Sequence, residues 1–283
     1  MPILASFSAG PLRVYGLVRR RSFGGAISYL VVAGGGGADA VGGAGGGGYI
    51  AGTSNTYSGL VLTIEVGGGG SAGFSGSNSY IRSSSDGNAT MNVESMGGGG
   101  GGLNNGFSGS GINGGSGGGA KGGDGDTVLP GGNATPGQGN NGGSCRLSPG
   151  FGRNNGGGGG AGSVGGNGRG NSEGGAPTNG APGVGGSGIA NPISGTPVTY
   201  SAGGIGAGAG TSPGIAGPAL TGRGADASGN PGVGVSRAGG SGVVFIRAAN
   251  GSVATTTGSP ILLSNGDGNT VFRFSGSGTI TFQ

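Results

Sequence analysis

The chain has 283 residues, of which 87 are glycine and only 8% are charged, and it contains neither histidine nor tryptophan. A single cysteine, Cys145, excludes an intrachain disulfide, and the lack of histidine excludes a histidine-based metal or catalytic centre. The net charge of +4, from twelve Arg and one Lys against nine acids, is too thinly spread for a nucleic-acid binder, and the RGG triplets of glycine-rich RNA binders are missing.

Glycine costs roughly 0.5–1 kcal/mol more than alanine to order in regular structure, so a folded chain of this composition needs a source of stability other than side-chain burial. Collagen is excluded, because proline numbers only 13 and the glycine triplet is not sustained. A disordered low-complexity chain is the competing reading. Between 156 and 186, however, glycine falls at 156, 159, 162, 165, 168, 174, 180, 183 and 186, with Asn171 and Pro177 breaking the phase. A three-residue repeat suits extended helices packed edge to edge and joined by backbone hydrogen bonds.

In chain order, residues 1–27 carry apolar side chains (Ile3, Leu4, Phe7, Leu12, Val14) and the Arg19–Arg21 cluster without a long glycine run. They read as an attachment segment to another chain, or as a strand pair on the body. Their basic cluster follows a short apolar run, the reverse of a signal peptide, and no segment approaches the ~20 apolar residues of a membrane span. The strand signals 29–33 (YLVVA), 57–66 (YSGLVLTIEV) and 90–95 (TMNVES) each deliver the chain into a glycine run. From 97 to 240 glycine blocks alternate with inserts at 103–107, 126–136, 144–155, 189–200 and 211–223. Residues 242–248 (GVVFIRA) are the strongest buried-strand signal, and the runs 260–264, 270–275 and 279–283 read as a small C-terminal β-meander with Asn-Gly and Gly-Asp-Gly turns.

Taken together, YLVVAGGGG (29–37), LVLTIEVGGGG (60–70), TPVTYSAGG (196–204) and GGSGVVFIRA (239–248) resemble the glycine-rich domain of tailed-phage tail-fibre and tail-tip proteins, over 28–248. The tail NTVFRFSGSGTITF (269–282) is similar to a strand module found beside that domain. The resemblance implies a lattice of polyglycine type II helices bracketed by β-strands, with almost no α-helix. It divides the chain into an attachment segment (1–27), the glycine-rich body (28–248) and a C-terminal β module (249–283). The implied function is a virion structural protein, a tail fibre or tail tip displaying loops to a host receptor, made in the host cytoplasm and carried on the particle. Its partners would be other tail or fibre proteins through 1–27 and a host surface glycan or outer-membrane protein, with a homotrimer as one assembly and no membrane insertion. Alternatives are a purely architectural appendage or decoration protein, or a glycine-rich cell-wall protein.

No enzymatic role and no cofactor or metal are expected. The many Gly-x-Gly-x-x-Gly matches follow from composition, no P-loop occurs, and Asp124 with Asp126 reads as solvated loop rather than a calcium turn. Lattice backbones are committed to one another, so recognition falls to the inserts. The least repetitive, SCRLSPGFGRNN (144–155), offers Arg146, Leu147, Phe151 and Arg153 as receptor-contacting residues, since arginine and aromatic side chains give large contacts at low entropic cost. The alternative is that Leu147 and Phe151 plug the end of the lattice.

Overall fold

The computed structural model describes residues 23–39, 41–83, 91–103, 109–122, 128–146, 154–169, 181–208, 214–228, 237–250, 253–264 and 266–283. These contain no α-helix. The strands are β1 (Phe23–Val32), β2 (Tyr49–Tyr57), β3 (Val61–Glu65), β4 (Ser79–Ser83), β5 (Asn92–Ser95), β6 (Val128–Leu129), β7 (Cys145–Arg146), β8 (Ile189–Asn191), β9 (Val198–Tyr200), β10 (Val243–Ala249), β11 (Val253–Thr256), β12 (Ile261–Ser264), β13 (Asn269–Phe274) and β14 (Gly278–Phe282). Two antiparallel five-stranded sheets result, in the orders β12-β13-β10-β1-β2 and β11-β14-β3-β4-β5, with β6-β7 and β8-β9 as separate pairs.

Alternation along the strands turns the two large sheets into a sandwich. Ile27 and Val31 of β1, Val244 and Ile246 of β10, and Phe272 and Phe274 of β13 meet Leu62 and Ile64 of β3, Ile81 of β4, and Ile280 and Phe282 of β14 in one core. The opposite face of the first sheet holds Leu30, Val32, Val243, Phe245 and Val271, and it is covered by Ile193 and Tyr200 of the β8–β9 hairpin. Tyr200 meets the Phe245 ring edge-on, with centroids 6.0 Å apart.

Beyond the sandwich the chain forms the lattice. Residues 33–38 continue β1, and their successive N–H groups point at different neighbours: Gly34 donates to Ser77, Gly35 to Gly240, Gly36 to Gly45, and Gly37 returns to Phe74. The 43–48 segment repeats the pattern twice. Gly43 and Gly46 donate to Gly156 and Gly159, Ala44 and Gly47 to Ala225 and Gly222, and Gly45 and Gly48 to Gly99 and Met96. A direction that recurs every third residue is the signature of a helix with three residues per turn, surrounded by parallel and antiparallel copies. Exposure follows the same period at 181, 184 and 187 of the 181–188 segment, while 183 and 186 are buried.

Glycine is required here for closeness rather than for left-handed backbone. A Cβ at Gly158 would lie 1.9 Å from the carbonyl oxygen of Ala44, and one at Gly34 would lie 1.9 Å from that of Gly68. Among the described residues positive φ occurs at turns, bends and bulges, such as Gly25 (φ 100), where the β1–β2 register shifts. Asparagines finish the lattice where a neighbouring helix leaves a donor unpaired. Asn113 Oδ1 accepts from Asn133 N, Asn141 Oδ1 from Ala134 N, and Asn167 Oδ1 from Ser144 N, at 2.7–2.9 Å.

Several expected boundaries move. Residues 1–22 lie outside the described residues, but 23–27 are not part of a detachable segment: they open β1, in the interior of the first sheet, and Ile27 is in the core. The C-terminal strands form no meander of their own, because β12 and β13 extend the first sheet while β11 and β14 join β3 in the second. Aromatic and aliphatic residues of the tail thus supply both walls of the sandwich core.

Candidate functional site

The lattice has a near end, where it meets the sheets, and a far end. At the near end Gly48 N bonds Met96 O, Tyr49 N bonds Gln138 O, and Ser201 N bonds Thr221 O. The far-end level is marked by Ala38, which forms an isolated antiparallel bridge with Arg237. Other bonds near that level join segment after segment: Ala207 N to Val41 O, Asn155 N to Ala207 O, Lys121 N to Gly109 O, Gly168 N to Ser144 O and Arg169 N to Ala181 O. These residues flank 104–108, 123–127, 147–153, 170–180, 209–213 and 229–236. Six stretches between lattice helices therefore have their roots at the end away from the sandwich.

Asn154 and Asn155 are the hub of that end. Asn155 is 1% exposed; its Oδ1 accepts from Gly122 N at 2.7 Å and its Nδ2 donates to Ala207 O at 2.8 Å. Asn154 is also buried, and its Nδ2 donates to Arg169 O at 2.7 Å. Two adjacent side chains thereby fasten the roots of 123–127, 147–153, 170–180 and 209–213. The bonds join amides to backbone, so the connection carries no net charge.

Of the four expected receptor-contacting residues, Leu147, Phe151 and Arg153 lie outside the described residues. The backbone of Arg146 is in β7, paired with Val128 of β6. Next to it, Cys145 is buried and its Sγ donates to Asn154 O at 2.8 Å. Burial pushes its thiol up to about 11, so at neutral pH it is a packed, protonated side chain rather than a nucleophile. Asp124 and Asp126 also lie outside the described residues. Among the described residues no cluster of Cys, Asp and Glu could hold a metal.

The supporting inserts divide differently from the expectation. The 126–136 stretch is mostly lattice: Pro130 and Asn133 carbonyls accept from Gly111 and Gly114, and only its start is at the far end. The 211–223 stretch likewise contains a lattice segment, with Ile215 O accepting from Asp226 N, and its 219–222 turn is at the near end. The 189–200 insert is the hairpin that covers the first sheet. The hub asparagines were not anticipated as a pair. Their signal is the repeated Asn-Asn-Gly at 104–106, 140–142 and 154–156, and Asn140 also bonds across helices, to the carbonyls of Gly160 and Ala161.

The chain belongs to the glycine-rich domain family, whose sequence profile matches residues 21–249. That span starts just before β1 and ends at the last residue of β10, so it takes in the whole lattice with the two adjacent central strands of the first sheet. No curated protein matches the chain. No solved structure matches it either.

Proposed function

We propose that the protein is a virion structural protein, a tail-fibre or tail-tip adhesin of a tailed bacteriophage, which displays the far-end inserts to a host receptor. The observation that carries this reading is the gathering of six insert roots at one end of a hydrogen-bonded lattice, with a sandwich at the other. A rigid, weakly charged scaffold with variable connections on one face is suited to presenting contact residues while its own backbone groups stay satisfied. The insert rooted at Cys145 and Asn154 is the expected centre of contact, with Arg146, Leu147, Phe151 and Arg153 as its contact residues.

Purified protein is expected to bind host cells and to be competed by envelope lipopolysaccharide or by an outer-membrane protein. Replacing Arg146, Phe151 and Arg153 with alanine should abolish binding, at about 1–3 kcal/mol per contact, without lowering the melting temperature. Attachment to the particle is assigned to residues 1–22. A variant starting at Phe23 should fold but fail to enter particles, whereas one starting at Ser28 also loses the start of β1 and should unfold more easily. Normal infectivity after deletion of the inserts would favour a purely architectural appendage.

A further inference from the structure

The outer face of the first sheet carries an open cleft of about 200 Å³ where the β8–β9 hairpin overhangs it. The cleft arises from a change in side-chain size along that face. Towards the lattice, Leu30, Val32, Val243 and Phe245 fill the space beneath Ile193 and Tyr200. Further from the lattice the same face presents Ser28 and, paired with it, Arg247, while beside Leu30 the edge strand β2 contributes the small Ala51. The hairpin turn, with Asn191, Pro192 and Ile193, forms the wall.

The polar groups are held in place before any ligand arrives. Asn191 Nδ2 donates to Tyr49 Oη at 2.7 Å, and its Oδ1 accepts from Ile193 N at 2.9 Å, which fixes the wall. Arg247 donates to the carboxylate of Asp267, which also accepts from Asn269 N at 3.0 Å. Both side chains of this pair keep about a third of their surface exposed, at 36% each.

A guanidinium already neutralised by a carboxylate is a poor trap for a free anion. Its remaining N–H groups, beside the Ser28 hydroxyl of the paired strand on the cleft floor, do match neighbouring hydroxyls, each of which donates and accepts. The volume lies below the roughly 300–1,000 Å³ of sites for drug-sized ligands, which limits the occupant to about one ring. The geometry points to a saccharide site that takes one pyranose ring, with a pair of hydroxyls on Arg247 and Ser28 and the C–H face against the exposed Pro192. The site is on the sandwich, separate from the insert roots, and does not depend on the receptor reading above.

Saturation-transfer NMR on the full chain with glucose, galactose, N-acetylglucosamine and glucuronate tests it. At least one neutral sugar should receive saturation, with a dissociation constant on the order of 1 mM. Ala51→Leu adds bulk at an exposed floor position outside both cores and should remove the signal at unchanged melting temperature. Arg247→Gln should weaken binding roughly tenfold, the loss of one charged hydrogen bond. Absence of transfer to every sugar, transfer to glucuronate alone, or full binding by Ala51→Leu would overturn the assignment. Host-cell binding measured on Ala51→Leu separates the two readings, because the far-end inserts are untouched in that variant.

Discussion

The thiol of Cys145 donates to the carbonyl of Asn154 at 2.8 Å, so the insert between them leaves and re-enters the lattice through one narrow neck. Nine residues apart in sequence, the two ends are joined by a buried contact. Whatever residues 147–153 contact, their anchor points are fixed by the lattice.

That contact makes stability depend on pH in the alkaline range. Burial raises the Cys145 thiol from 9.0 to about 11, so the folded state holds the proton more tightly than the unfolded chain does. The associated stability is complete below pH 9.0 and is lost as the pH climbs towards about 11. Cys145→Ser keeps a donor for Asn154 and does not titrate in this range. Urea midpoints of parent and Cys145→Ser should therefore converge or cross between pH 9.0 and about 11. A constant difference across that window would show that the thiol does not ionise against burial.

The hub predicts a second effect. Asn155→Ala leaves the Gly122 N–H without its partner, while the Ala207 carbonyl keeps the backbone N–H of residue 155. A buried donor left unpaired costs about 1–3 kcal/mol. Hydrogen exchange should accelerate at Gly122 before it does in β1 or β10, because the loss is local to the far end. Uniform acceleration through the sandwich would mean that the lattice and sheets open as one unit.

Glycine content alone does not say which glycines matter, but the lattice separates them. Gly158→Ala would place a methyl 1.9 Å from the Ala44 carbonyl oxygen, and both partners are backbone, so the helices must separate. A loss of about 3 kcal/mol, at the upper end for overpacking, is expected. Gly68 sits in an equally glycine-rich run, yet nothing lies within 4 Å of an added Cβ there. Gly68→Ala should be neutral or stabilise by roughly 0.4–1 kcal/mol through the unfolded chain. Melting curves of the two variants give the comparison, and equal losses would contradict an edge-to-edge lattice.

The sequence was most readable where side chains carry a period. Leu60, Leu62 and Ile64 alternate, and they lie in the sandwich core as that alternation requires. The 242–248 run is the central strand β10, and the three strands that feed glycine runs do so in the fold. β2, with its sequence YIAGTSNTY, was missed because it is an edge strand whose polar face carries no apolar signal, and β4 because only Ile81 marks it as buried. The destination of the C-terminal strands was hidden for another reason. β13 and β14 have similar alternation, and nothing local separates a partner in the first sheet from one in the second. The far end was legible as a set of inserts but not as a junction, since the Asn154–Asn155 bonds join residues up to 52 positions apart.

The same bonds should govern chemical ageing. Asparagine followed by glycine normally deamidates when the glycine nitrogen attacks the side-chain carbonyl carbon, expels ammonia and closes a succinimide. Among the described residues four such pairs are in the lattice, at Asn113, Asn141, Asn155 and Asn167, and in each the glycine N–H is donated across the lattice: Gly114 to Asn133 O, Gly142 to Gly132 O, Gly156 to Ala120 O and Gly168 to Ser144 O. Each Asn Oδ1 is also engaged by a backbone N–H of another segment. Attack requires both partners to break away and the backbone to leave its extended helix. Peptide mapping after prolonged incubation at mildly alkaline pH should find these four asparagines intact in the native protein and converted to aspartate and isoaspartate in urea. Conversion at the free-peptide rate in the native state would mean that these bonds open on the timescale of the reaction, and that the lattice around Asn155 is far looser than its hydrogen bonds imply.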